Sequence, residues 1–146
     1  MPTARRSRTI AAPQERLWEL VSDPHHLPRW WPRVERVEDV EDDAFTEVMK
    51  TSKGKLVRAD FRLRRSPADA QMLVWEQQLQ GTPFERLFSS AETRVRLEPH
   101  EAGTSVTIEL DQRLSGFFPR FGGFMVRRAA AATVEQALDG LERIGG

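Results

Sequence analysis

From Val34 to Arg113 the chain offers six strand-length segments, and the breaks between them suit hairpins rather than crossovers. The segments run near 34–41, 44–50, 55–65, 70–80, 88–98 and 103–113. Between them stand Asp42-Asp43, Ser52-Lys53-Gly54, Ser66-Pro67-Ala68-Asp69, Gly81-Thr82-Pro83 and Pro99-His100-Glu101-Ala102-Gly103. Parallel neighbours need a crossover of about a dozen residues or more, so the pattern dictates an antiparallel sheet. Val57, Ala59, Phe61 and Leu63 alternate with Arg58, Asp60, Arg62 and Arg64; Val106, Ile108 and Leu110 alternate with Thr107, Glu109 and Asp111. Each strand therefore has one wet face and one face that must be covered.

What flanks these segments supplies the cover. Residues 5–10 (RRSRTI) form a first strand. Pro13 sits at the first position of a short helix, with Gln14 and Glu15 in its first turn and Leu17, Trp18, Leu20 and Val21 as its apolar stripe. Ser22-Asp23-Pro24 stops it. A second short helical segment, His25 to Trp31, ends in paired tryptophans. Two adjacent residues on a helix point about 100° apart. One of Trp30 and Trp31 therefore anchors the small helices to the sheet while the other sits near a rim.

The last helix runs from the aromatic stretch 115–124 to Ile144. Its inward face holds Val126, Ala130, Thr133, Val134, Ala137, Leu141 and Ile144, opposite Arg128, Glu135, Asp139 and Glu142. That face is small at its start and large at its end. A sheet laid on it closes tightly at the C-terminal end and leaves room at the other, beside the phenylalanines. Close packing, with the small residues only letting the sheet approach, is the competing arrangement.

Composition narrows the function classes. The 22 basic and 22 acidic residues balance, so no overall field draws the chain to nucleic acid or an anionic membrane. Residues 33–49 carry seven acids and residues 50–65 seven bases; cross-strand ion pairing on the wet face accounts for both runs. There is no cysteine, hence no disulfide, thiolate metal site or Cys nucleophile, and no tyrosine. Arg5, Arg6 and Arg8 are not followed by an apolar stretch of the kind a signal peptide carries, and no apolar run reaches the roughly 20 residues of a membrane span. One domain over residues 1–146, cytoplasmic, is expected.

The element order and the residues together resemble a known superfamily. Ala12 to Pro24 (APQERLWELVSDP), Leu27-Pro28-Arg29-Trp30, Trp75, Gly81-Thr82-Pro83-Phe84 and Gly103-Thr104-Ser105-Val106 are similar to the START-like, polyketide cyclase/dehydratase superfamily, across essentially the whole chain. The resemblance implies an α+β helix-grip fold. In it, a curved seven-stranded antiparallel sheet wraps a long C-terminal helix, with two short helices between the first two strands. It also implies a mainly apolar cavity between sheet and helix, and favours Trp30 as the anchor. Fold does not fix activity.

The candidate ligand-binding residues are Trp31, Phe61, Trp75, Gln77, Phe84, Phe88, Phe117, Phe121, Met125 and Ala130, with Phe117, Phe121 and Met125 as the gate. Gln77 either lies exposed beside Gln78 or, buried, orients a ligand carbonyl or hydroxyl. The strand 44–50 is ambiguous between Phe45/Glu47/Met49 and Thr46/Val48 facing inward. The expected place of Glu47 is beside a strand base; facing the cavity, it is a desolvated carboxylate with a raised pKa and a possible base. Asp23, His25 and His26 are read as a solvated turn, and no metal or cofactor is expected. The leading expectation is a protein that binds or carries a small hydrophobic or amphipathic molecule, such as a lipid, isoprenoid or polyketide-like compound. The alternatives are a cyclase/dehydratase-like enzyme using a polar group in that cavity, and a co-chaperone-like interaction module. Monomer and homodimer are both open.

Overall fold

The computed structural model describes residues 3–66, 71–115 and 122–146. Seven strands form a single antiparallel sheet: β1 (Ala4–Ile10), β2 (Val34–Glu38), β3 (Ala44–Lys50), β4 (Leu56–Ser66), β5 (Gln71–Gln77), β6 (Phe88–His100) and β7 (Gly103–Leu114). Their spatial order is β1-β7-β6-β5-β4-β3-β2, so β2 to β7 is an uninterrupted meander and β1 closes onto its far end. Between β1 and β2 lie α1 (Gln14–Ser22), a 3-10 turn (Pro24–His26) and the four-residue α2 (Leu27–Trp30). The long α3 (Gly122–Gly145) packs on the sheet.

The expected alternation fixes the inward face. Ala59, Phe61 and Leu63 of β4, Leu73 and Trp75 of β5, Val95 and Leu97 of β6, and Val106, Ile108 and Leu110 of β7 are all buried. Against them α3 lays Ala130, Val134, Ala137, Leu138 and Leu141. The buried arc of α3 is wider than its spacing pattern suggested, because Leu138 and Gly140 are also covered. The cause is α2, which packs on α3 beside the sheet. A Cβ at Gly140 would lie 2.3 Å from the Trp30 carbonyl oxygen and 2.9 Å from its Cα. Only a residue without a side chain lets the two backbones come so close.

Local chemistry sets the ends of the elements. Pro13 stands at the N-cap of α1, one residue ahead of the first helical position. Asp23 accepts hydrogen bonds from the backbone N–H and the ring of His25, so the acid caps the 3-10 turn. Arg65 donates to the Ser22 carbonyl at 2.8 Å, satisfying an orphan acceptor at the end of α1. The expected wet face of α3 is tied to β1: Arg8 meets Asp139 at 2.6 Å, Glu135 at 3.0 Å and Glu142 at 3.5 Å. The charge runs pair across strands, with Arg58 on Glu38 and Lys50 3.6 Å from Glu35. These pairs face solvent, where water and salt screen them, so they add little to stability.

One buried polar contact joins the two chain regions that close the sheet. Thr104 is fully buried, and its hydroxyl donates to the Ala12 carbonyl at 2.8 Å. Thr104→Val keeps the shape and removes the donor. It should cost about 1–2 kcal/mol in urea unfolding with an unchanged m-value; no loss would mean that the hydroxyl contributes nothing net.

Candidate functional site

A cavity of about 300 Å³ lies between the sheet and the first half of α3, where the inward face of the helix is smallest. Val126, Ala129, Ala130 and Thr133 form the helix side. Phe61 of β4, Trp75 and Gln77 of β5, Ala91 and Thr93 of β6, and Leu110 and Gln112 of β7 form the sheet side. Trp31, Phe84 and Phe88 also line it. The large residues of the other half of α3 fill the core instead.

Seven of the ten residues singled out from the sequence meet here: Trp31, Phe61, Trp75, Gln77, Phe84, Phe88 and Ala130. Phe117 and Phe121 lie outside the described residues. Met125 is not among the lining residues and is 67 % exposed, on the first turns of α3 beside Phe124 at 55 %.

Each aromatic ring is placed by a recognisable device. Trp30 is the anchor, 2 % exposed against α3, and Trp31 lines the cavity. The two rings nevertheless share a neighbour, because Trp31 leaves the helix in extended backbone. Both meet Trp75 edge-on, with centroids 6.3 Å and 5.4 Å away, and they lie 5.5 Å from each other. Edge-to-face contacts of this kind hold three large rings in one arrangement. Phe84 rides on the 3-10 turn Pro83–Arg86, whose cap Thr82 accepts from the Phe84 N–H and donates to the Leu79 carbonyl. Phe88 depends on a β-bulge. Ala91, Thr93 and Val95 face inward, so strict alternation would turn residue 88 outward; the register shift between Phe88 and Ser90 brings it back.

Glu47 departs from expectation. It pairs with no base among the described residues. A second bulge, between Val34 and Arg36, sets Val34 opposite Met49 and Val37 opposite Glu47, and the Glu47 side chain lines the cavity. Phe45 and Met49 share its face, while Ala59, its neighbour across β4, is small enough to leave room for a carboxyl group. Glu47 is 2 % exposed, and its Oε1 has no hydrogen-bond partner among the described residues. Burial pushes its pKa up to about 8, so at neutral pH the group is mostly a neutral carboxylic acid. The missed signal was in the sequence: Phe45 and Met49 flank Glu47 at two-residue spacing and are the largest apolar residues of that strand.

Gln77 is half-buried rather than exposed, and its Nε2 is buried without a partner among the described residues. The cavity thus combines a mostly apolar, ring-rich wall with one neutral acid and one free amide. Among the described residues no group of three or more His, Asp or Glu side chains is placed to hold a metal ion. No described helix is long and apolar enough to cross a membrane.

Comparison with known proteins places this architecture. Residues 1–144 match the family described as polyketide cyclase / dehydrase and lipid transport. No curated protein matches the sequence. Among solved structures, a START superfamily protein from Mycobacterium smegmatis superposes with a TM-score of 0.78 at 19 % identity, covering 97 % of this chain and 95 % of that one. A protein from Thermus thermophilus, TTHA0849, gives 0.72 at 26 % identity, with coverage of 96 % and 94 %. The di-domain ARO/CYC StfQ from the steffimycin biosynthetic pathway gives 0.78 at 15 % identity; 97 % of this chain is covered, but it spans only 49 % of that chain.

Proposed function

Because the chain belongs to the polyketide cyclase / dehydrase and lipid transport family, we propose that its cavity holds one small hydrophobic or amphipathic molecule. A single observation supports this most: a ring-lined space of about 300 Å³ stands where a helix this long would ordinarily be packed shut. A cavity of about 150 Å³ suffices for benzene. Twice that volume suits a two-ring compound or a chain of similar bulk. Burial contributes about 25 cal/mol per Å² of apolar surface, and contacts with Trp31, Phe61 and Trp75 add to it.

The test is direct. Titration with a hydrophobic fluorophore should show saturable binding at one site, and native mass spectrometry of gently purified protein should show a bound small molecule. Trp31→Ala should weaken the fluorophore at least tenfold, since the ring forms a wall. If wild-type protein shows neither saturation nor bound mass, the carrier reading is wrong.

Glu47 favours a second reading, that of a cyclase/dehydratase-like catalyst. A carboxylic acid kept neutral near pH 7 in a mainly apolar site is what a general acid requires. On that reading Glu47→Gln abolishes turnover and leaves binding intact. An interaction module that works through its outer surface has no need of a core cavity, so the space between sheet and helix does not favour that third reading.

A further inference from the structure

We infer that the cavity is built for an uncharged apolar compound bearing a carbonyl oxygen, with Glu47 as the donor to that oxygen and Gln77 as the second polar contact. The inference rests on the proposal that the cavity holds an apolar molecule, and it specifies which kind.

Two observations carry it. Glu47 is 2 % exposed, lines the cavity and has an Oε1 without a partner among the described residues; Gln77 lines the same cavity with a buried Nε2 that likewise has no partner among them. A buried polar atom left unpaired is costly, so few are found in folded proteins. Two such atoms at one small cavity, both on the inward face, are explained by a ligand that satisfies them. The register sets them apart: Glu47 lies opposite Ala59, and Gln77 opposite Phe61, on the two sides of β4. A hydrocarbon would leave both atoms unpaired, whereas a carbonyl oxygen accepts from an acid O–H or an amide N–H.

The charge state selects against an anion. The other charged side chains lining the cavity are Arg33, at the turn before β2, and Glu92 of β6. Glu92 is occupied by Arg94 at 3.0 Å. Among the described residues, the strands and helix around Glu47 present no base to it: Val37 from β2, Ala59 and Phe61 from β4, Trp75 and Gln77 from β5, Val126, Ala130 and Thr133 from α3; Arg33, in the turn before β2, is exposed. Desolvation alone acts on Glu47 and keeps it protonated. A carboxylate ligand beside it would lose its hydration in a mainly apolar site, with the exposed Arg33 as the one base among the described lining residues.

The experiment compares two near-isosteres, 2-acetylnaphthalene and 2-ethylnaphthalene, by equilibrium dialysis. Wild-type protein at pH 6.5 should prefer the ketone by tenfold or more. Glu47→Leu should bring the preference below threefold while still binding the hydrocarbon, which shows that the cavity survives. At pH 9, above the value of about 8 for Glu47, ketone affinity should fall about tenfold in the wild type and stay constant in Glu47→Gln. Equal affinity for the two compounds, or an undiminished preference in Glu47→Leu, overturns the inference and leaves the cavity proposal standing. Failure of both compounds to bind overturns the cavity proposal, and this inference with it.

Discussion

Replacing Glu47 by glutamine should make the protein more stable in alkali and leave it nearly unchanged in acid. In the unfolded chain a glutamate loses its proton near pH 4.5; in the folded chain Glu47 keeps it until about pH 8. Between those values the folded state binds one more proton than the unfolded state. Stability therefore falls as pH rises, by about 1.4 kcal/mol per unit. Below about pH 4.5 both states are protonated and the group contributes no pH dependence; above about pH 8 the loss levels off. Integrated over that window the loss is on the order of several kcal/mol, a large share of the roughly 5–15 kcal/mol typical of a domain. Glutamine has nearly the same shape and no proton to lose. Urea unfolding at pH 5, 6, 7 and 8.5 should show the two proteins together at pH 5, with the variant ahead by a growing margin above it. Parallel profiles would mean that Glu47 is solvated or paired in solution.

The second large effect concerns a missing side chain. In an exposed helix Gly→Ala gains about 1 kcal/mol of helix propensity. Gly140→Ala should do the reverse and destabilise by roughly 1–3 kcal/mol. The new methyl would stand 2.3 Å from the Trp30 carbonyl oxygen and 3.0 Å from its carbonyl carbon; these are backbone atoms, which cannot swing aside. Either α2 lifts from α3 or the helix bends, and both loosen Trp30 and with it the Trp31 and Trp75 rings at the cavity. Gly123→Ala serves as the control. Among the described residues a methyl there meets the Arg127 side chain at 3.4 Å and Leu114 Cδ1 at 4.0 Å, so the propensity gain should survive. Opposite signs for two identical substitutions in one helix would identify close approach as the cause; equal signs would refute it.

Most of the architecture was legible because two periods, 2 and 3.6, are written in apolar residues. The strands β4 and β7, with large residues on one face and charges on the other, left no choice of register. The small-to-large gradient of α3 pointed to the cavity's end, for a volume deficit is visible in the side chains themselves. What was not legible follows from β3. Phe45, Thr46, Glu47 and Val48 are all buried, so both faces are covered and alternation loses its contrast. Charge counting then assigned Glu47 to the wet face, where bases abound. The bulges in β2 and β6 were invisible for a related reason: an extra residue leaves composition unchanged and shifts only the phase. Gly140 carries no signal of its own in the sequence, because its reason for being there is Trp30, more than a hundred residues earlier.

The pairing of β1 with β7 has a kinetic consequence. Every other neighbouring pair in the sheet is a hairpin in sequence, whereas Ala4 meets Leu110 and Ile10 meets Thr104. Closing so long a loop costs chain entropy that only the finished pairing returns. The meander from β2 to β7 can zip one turn at a time, while β1, which carries Arg8 to the acids of α3, must wait for the far end of the chain. The join of β1 to β7 is thus expected to form late, because it closes the longest loop in the sheet. No β1 residue lines the cavity, but α3, which supplies its helix side, packs on β1, so that side is held in place once the join closes. A molecule settling into the cavity therefore acts as a latch, stabilising the fully assembled state by mass action and slowing the parting of β1 from β7.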